Sequence, residues 1–155
     1  MKIPGLVFGL LSLVILTLGF NSCSKSKGGS GIKTSVYGDN SSHDVGTACL
    51  SCHNSGGSNP YWWYAAGTVY KPDTSLLNPN STVYLFTNSN GAGTLVALLP
   101  VDGKGNFYTS SIFDYGSGVY PGVKSSTGET RFMQSSTKNG DCNSCHNKTK
   151  RIIVN

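Results

Sequence analysis

Two pentapeptides, Cys49-Leu50-Ser51-Cys52-His53 and Cys142-Asn143-Ser144-Cys145-His146, constrain this chain more than any other feature. Both read Cys-x-Ser-Cys-His, and each is followed by an asparagine, Asn54 and Asn147. Two thiols three residues apart fall on one face of a helical turn. That spacing reaches two vinyl groups along one edge of a porphyrin, and Cys-x-x-Cys-His is the covalent attachment signature of c-type haem. The adjacent histidine then serves the iron as proximal ligand. The expected cofactors are two covalently bound haem c groups. Cys49, Cys52, Cys142 and Cys145 are the expected thioether donors, and His53 and His146 the proximal ligands.

Other uses of paired cysteines fit less well. A single four-cysteine zinc site needs no histidine after each pair, and the two pairs lie further apart than a zinc ribbon places them. Structural disulfides leave the histidines unexplained. A thioredoxin-like pair needs a βαβ setting, and none is legible. Haem accounts for four of the five cysteines and two of the three histidines.

Two irons then need two further ligands from a small inventory. His43, six residues before Cys49 in a polar Ser-Ser-His-Asp segment, is the one spare imidazole and the expected distal ligand of one haem. It can fold back over its own haem or cross to the other. Met133 is the only methionine after the N-terminal segment, and its thioether is a candidate distal ligand for the second iron. Alternatives are a solvated His43 and a core Met133, with one site left open or completed by another subunit.

The fifth cysteine has its own setting. Lys2 followed by an uncharged apolar run from Ile3 to Phe20 reads as a signal peptide over residues 1–22. Phe20-Asn21-Ser22-Cys23 stands where bacterial lipoproteins carry their lipidated cysteine, so Cys23 is the expected lipid anchor. Phe20 and Asn21 depart from the usual residues there; an uncleaved apolar anchor is the alternative. Ser24 rather than Asp next to it fits lipoproteins sorted to an outer membrane. Residues 23–42, rich in Ser, Gly and Lys, read as a lipidated terminus and flexible tether. The expected location is therefore outside the cytoplasm: an outer-membrane lipoprotein, periplasmic or at the cell surface.

The net charge is +5, but the lysines and arginines are scattered, with no basic face to follow a phosphate backbone, so nucleic acid is not an expected partner. Haem propionates offset much of this surplus, and Lys148, Lys150 and Arg151 are placed to answer those of the second haem. There is no P-loop, no carboxylate pair and no Ser/His/Asp set once the histidines are assigned.

Between the pentapeptides the chain reads as short strands parted by turns. Candidates are 64–70, 82–87, 94–99, 106–109, 119–123 and 130–133, with turns such as Asn78-Pro79-Asn80 and Asp102-Gly103-Lys104-Gly105. Regular spacing without a helical period indicates a mainly β protein, an antiparallel β-sandwich over residues 61–135. Haem-binding segments at 43–60 and 136–155 flank it. Tyr61-Trp62-Trp63-Tyr64 is either a strand covered on both faces or an aromatic plug packing against a haem.

The stretch AAGTVYKPDTSLLNPNSTVYLF and the later LLPVDGKGNFY resemble the carboxypeptidase-regulatory-like, or transthyretin-like, β-sandwich. That resemblance implies a structural or binding module without catalysis. With the flanking pentapeptides, the whole is similar to exported dihaem c-type cytochromes, which implies a one-electron carrier, not an enzyme, with other redox proteins as partners. Three rival expectations remain: a subunit of a polymeric cytochrome filament with His43 donated in trans, a small peroxidase or nitrogen-oxide reductase with one open coordination site, and a haem-based sensor.

Overall fold

The computed structural model describes residues 31–57 and 59–155. The expected signal segment and the lipidation site Cys23 lie outside the described residues. Seven strands carry the fold: β1 (Ala65–Tyr70), β2 (Thr82–Phe86), β3 (Leu95–Pro100), β4 (Asn106–Thr109), β5 (Tyr120–Lys124), β6 (Thr130–Phe132) and β7 (Ile152–Ile153). The one α-helix among the described residues is α1 (Cys142–Cys145), and Cys49–Ser51 form a 3-10 turn. Among the described residues no helix is long and apolar enough to cross a membrane.

The strands form two sheets, ordered β4-β1-β7 and β3-β2-β5-β6. The protein is mainly β, and its arrangement is that of a sandwich. β2 shows why: Val83 and Leu85 point inward while Thr82, Tyr84 and Phe86 are only half-buried, the period-2 alternation of a strand covered on one face. Inward residues of both sheets, among them Val69, Val83, Leu85, Leu99, Phe107 and Val123, make one core. Full burial of Phe107 alone stabilises the fold by about 1.5–3 kcal/mol.

β1 is the strand around which the rest is arranged. All six of its residues are buried, and four of them are Ala, Ala, Gly and Thr, small enough to let other segments approach closely on both sides. β4 pairs with it antiparallel, from Ala65 opposite Thr109 to Thr68 opposite Asn106. The other edge is unusual. Ala66 bridges Asp141 in parallel, and then Val69 and Tyr70 pair in parallel with Ile152 and Ile153. The second pentapeptide is thus an excursion between two parts of one edge strand. The β1–β7 pairing is the one parallel ladder among the described strands of an otherwise antiparallel sandwich, and it carries the first sheet past residue 135 into the segment expected to bind the second haem.

A correction concerns the expected tether. From Lys33 to Ser42 the chain is docked, not free. Thr34 bridges Thr109. The Ser35 N–H donates to Tyr108 O at 2.9 Å, and the Ser110 N–H to Lys33 O at 2.7 Å. The Ser35 hydroxyl donates to Pro100 O at 2.6 Å. These bonds cover the outer edge of β4, which otherwise exposes unpaired backbone groups. The serines that suggest flexibility by composition are the residues whose hydroxyls fix the segment.

Candidate cofactor sites

The two pentapeptides share one local structure. In each, the amide of the histidine closes the turn onto the carbonyl of the first cysteine: His53 N to Cys49 O at 3.1 Å, and His146 N to Cys142 O at 2.8 Å. In each, the serine hydroxyl donates to the carbonyl of the residue before the first cysteine, Ser51 to Ala48 and Ser144 to Asp141, at 2.7 and 2.6 Å. The repeated serine is therefore a turn-closing residue in both copies.

Both histidines are held by the same nitrogen. His53 Nδ1 lies 3.0 Å from Tyr61 O, and His146 Nδ1 lies 2.8 Å from Lys150 O. A carbonyl can only accept, so each Nδ1 carries the proton and each Nε2 is left with a free lone pair. A backbone acceptor on one imidazole nitrogen that frees the other for a metal is the usual support of a histidine ligand. Burial holds His53 below the usual histidine pKa, with the nearby His43 acting in the same direction, which also favours the neutral, ligating form.

Each histidine lines its own open-sided cavity. The first, about 340 Å³, has His43, Cys49, Cys52, His53 and Trp63 in its walls. The second, about 210 Å³, has Met133, Cys142, Cys145 and His146, with Val83, Phe107 and Val123 of the core behind them. His43 is exposed but stands beside His53, with ring centroids 5.9 Å apart and planes tilted by 32°. His43 thus lines the cavity of the motif nearest it in sequence. Met133 is held in the second cavity's wall by its amide, which donates to Pro121 O at 2.8 Å. The two cysteine pairs thus face different cavities, and all four are free thiols.

Within each pair the cysteines differ. Cys52 and Cys145 are exposed, whereas Cys49 and Cys142 turn inward. Burial, reinforced by the Asp141 carboxylate, pushes the Cys49 thiol up to about 11 and that of Cys142 to about 12. Asp141 is itself raised above the ordinary carboxylate range by burial, and its Oδ1 is buried with no hydrogen-bond partner.

The aromatic run divides. Trp62 faces solvent. Trp63 stacks on His53, centroids 4.5 Å apart, and leans on Tyr108 at 4.7 Å. Residues 61–64 precede β1 and form an aromatic plug, not a strand. In the second cavity, Arg151 sits 4.3 Å over the Tyr70 ring, its Nε buried and without a hydrogen-bond partner among the described residues. A half-buried guanidinium with an unpaired Nε–H suits an anionic group on whatever fills the cavity.

The sequence alone does not single out Asn143, the first spacer of the second pentapeptide. It is buried, 3% exposed, and lies between the two motifs. Nothing in a Cys-x-x-Cys-His pattern marks its spacers as special. No family model, curated protein or solved structure matches this chain.

Proposed function

We propose that this chain is a dihaem c-type cytochrome that carries single electrons between redox partners outside the cytoplasm. The observation that carries the reading is the paired histidine geometry: in both motifs Nδ1 is committed to a backbone carbonyl, and Nε2 is left for a metal. Cys49 and Cys52 would hold one haem by thioether bonds, and Cys142 and Cys145 the other. His53 and His146 would be the proximal ligands. When bound, each haem supplies an iron that takes up and releases one electron.

The protein's own residues make the two sites unequal. The first has a second imidazole, His43, and walls that include Ser41, Ser42, Asp44 and Asn106. The second has the thioether of Met133 against apolar core residues, with Arg151 to receive a carboxylate. A His/Met site in apolar surroundings holds a higher potential than a bis-imidazole site, so electrons would run from the first site to the second. Trp63 shields the face of His53 from water.

A relay is favoured over the rival readings by His43. Its place beside its own chain's His53 removes the need for donation in trans, the feature that most suggested a filament. As a distal ligand the same imidazole would fill the coordination position that an enzyme keeps open. Lipid attachment at Cys23 would tether the relay to a membrane.

The test is optical and mass analysis of the exported protein. The expected result is two haems per chain and low-spin spectra in both oxidation states. One haem or none overturns the reading.

A further inference from the structure

The edge of β1 that faces the second motif has a gap in its ladder. On that edge the Ala66 N–H donates to Gly140 O at 2.9 Å, and further along Tyr70 O accepts from the Val154 N–H at 3.1 Å. Between them stands Thr68, whose N–H has no backbone partner, because the chain has left the edge to form the cysteine turn. Asn143 fills the gap. Its Oδ1 accepts from the Thr68 N–H at 3.0 Å, in place of the missing carbonyl.

The other end of the same amide points to the first motif. Asn143 Nδ2 donates to Thr47 O at 2.8 Å and to Thr68 Oγ1 at 3.1 Å. Thr68 Oγ1 also accepts from the Gly46 N–H at 3.0 Å and donates to Asn106 Oδ1 at 2.7 Å. Asn106 Nδ2 in turn donates to Ser42 Oγ at 3.1 Å and His43 O at 3.2 Å. Asn143, Thr68 and Asn106 are all buried, and every amide and hydroxyl hydrogen among the three side chains is used. A buried polar network satisfied in this way fixes one arrangement of the groups it joins.

We infer that Asn143 is a positioning residue that reaches from one motif to the other within the chain: a side chain from the second pentapeptide holds the 42–47 loop, and with it His43 at the first site. This rests on the dihaem reading for its spectroscopic consequence, but not for its structural one. A spacer residue that served only its own turn would, when replaced, disturb the second site. Asn143 instead makes its contacts with the first site's loop, with Cys49 Sγ at 3.9 Å and with β1.

The test compares Asn143→Leu, which keeps bulk and removes every hydrogen bond of the side chain, with Thr68→Val, which deletes one hydroxyl at constant shape, and Thr68→Ser, which restores it. In the full chain, amide exchange at Gly46 should quicken about tenfold or more in the first two variants and stay near the parent rate in the third. In the haem-loaded protein, the first site's midpoint potential and low-spin signal should change while the second site's do not. Cys52→Ala, which removes one thioether from the first motif, identifies that site's redox wave. The double variant should cost less than the sum of its parts, because both break one network. Unchanged Gly46 exchange, or spectral change confined to the second site, overturns the inference. If the parent chain binds no haem, the functional reading falls and Gly46 exchange alone decides this one. If Asn143→Leu does not fold, the Thr68 pair carries the same two readouts.

Discussion

The imidazole of His43 lies 5.9 Å from that of His53, centroid to centroid, within one chain. Two imidazoles bound to one metal ion from opposite sides, each through a bond of about 2 Å, hold their centroids about 6 Å apart. On the dihaem proposal, His43→Ala should therefore convert one of two haem signals from low to high spin, read in the ferric absorption and paramagnetic resonance spectra. The side chain is exposed, so the fold should be unaffected. Two unchanged low-spin signals would remove His43 from the ligand set.

Met133 offers the complementary experiment. Met133→Leu keeps volume and costs less than about 1.5 kcal/mol in a packed site, yet it removes the only thioether in the second cavity. The potential of one haem should fall, or that haem should become high-spin, while the other is unchanged. A redox titration superimposable on the parent's would leave Met133 a packing residue.

Gly67 marks how closely α1 approaches β1. A Cβ there would stand 2.7 Å from Phe107 Cζ and 2.9 Å from Cys142 Cβ. Gly67→Ala should destabilise the fold by about 1–3 kcal/mol through overpacking, seen as a lower denaturant midpoint. Because Cys142 is one of the two contacts, loading of the second site should suffer more than loading of the first. A midpoint equal to the parent's would mean that α1 can shift freely.

The four thiols should react unequally in the haem-free chain. Alkylation needs the thiolate, and Cys49 and Cys142 are held as thiols by burial, up to about 11 and about 12. At pH 8, mass mapping should find Cys52 and Cys145 modified well before Cys49 and Cys142. The same shifts carry a stability consequence. The folded-state values lie above the ordinary 9.0, so the folded chain keeps protons that the unfolded chain releases. The contribution is complete below about pH 9 and is lost as pH rises through 11 and 12. A denaturant midpoint that is flat or rising across that window would contradict it.

Six strands were legible because their local chemistry agrees with their place. β2 alternates, and β4 follows a glycine turn. β7 was not legible: two isoleucines carry no period, and their pairing depends on a β1 edge some eighty residues away along the chain. The docked segment 33–42 was hidden for a related reason, since its Ser and Gly composition is that of a tether, and nothing in the composition shows that Thr34, Ser35 and Ser42 spend their hydroxyls on β4. The six candidate attachment and ligand residues follow from spacing alone, so Cys49, Cys52, His53, Cys142, Cys145 and His146 can be named directly. Which cavity His43 and Met133 serve could not, because that depends on how the loops fold back. Asn143 escaped notice because its role arises from a gap in a ladder, and a gap has no residue pattern of its own.

The excursion along β1 also sets an order of assembly. The first sheet cannot close until Ile152 and Ile153 arrive, and they follow every other described strand in the sequence. Until then the outer edge of β1 is bare, and the 42–47 loop lacks Asn143 to hold it. Cys49, which turns inward in the folded chain, should accordingly be most open to chemistry before β7 docks, whereas Cys52 is exposed in the folded chain as well.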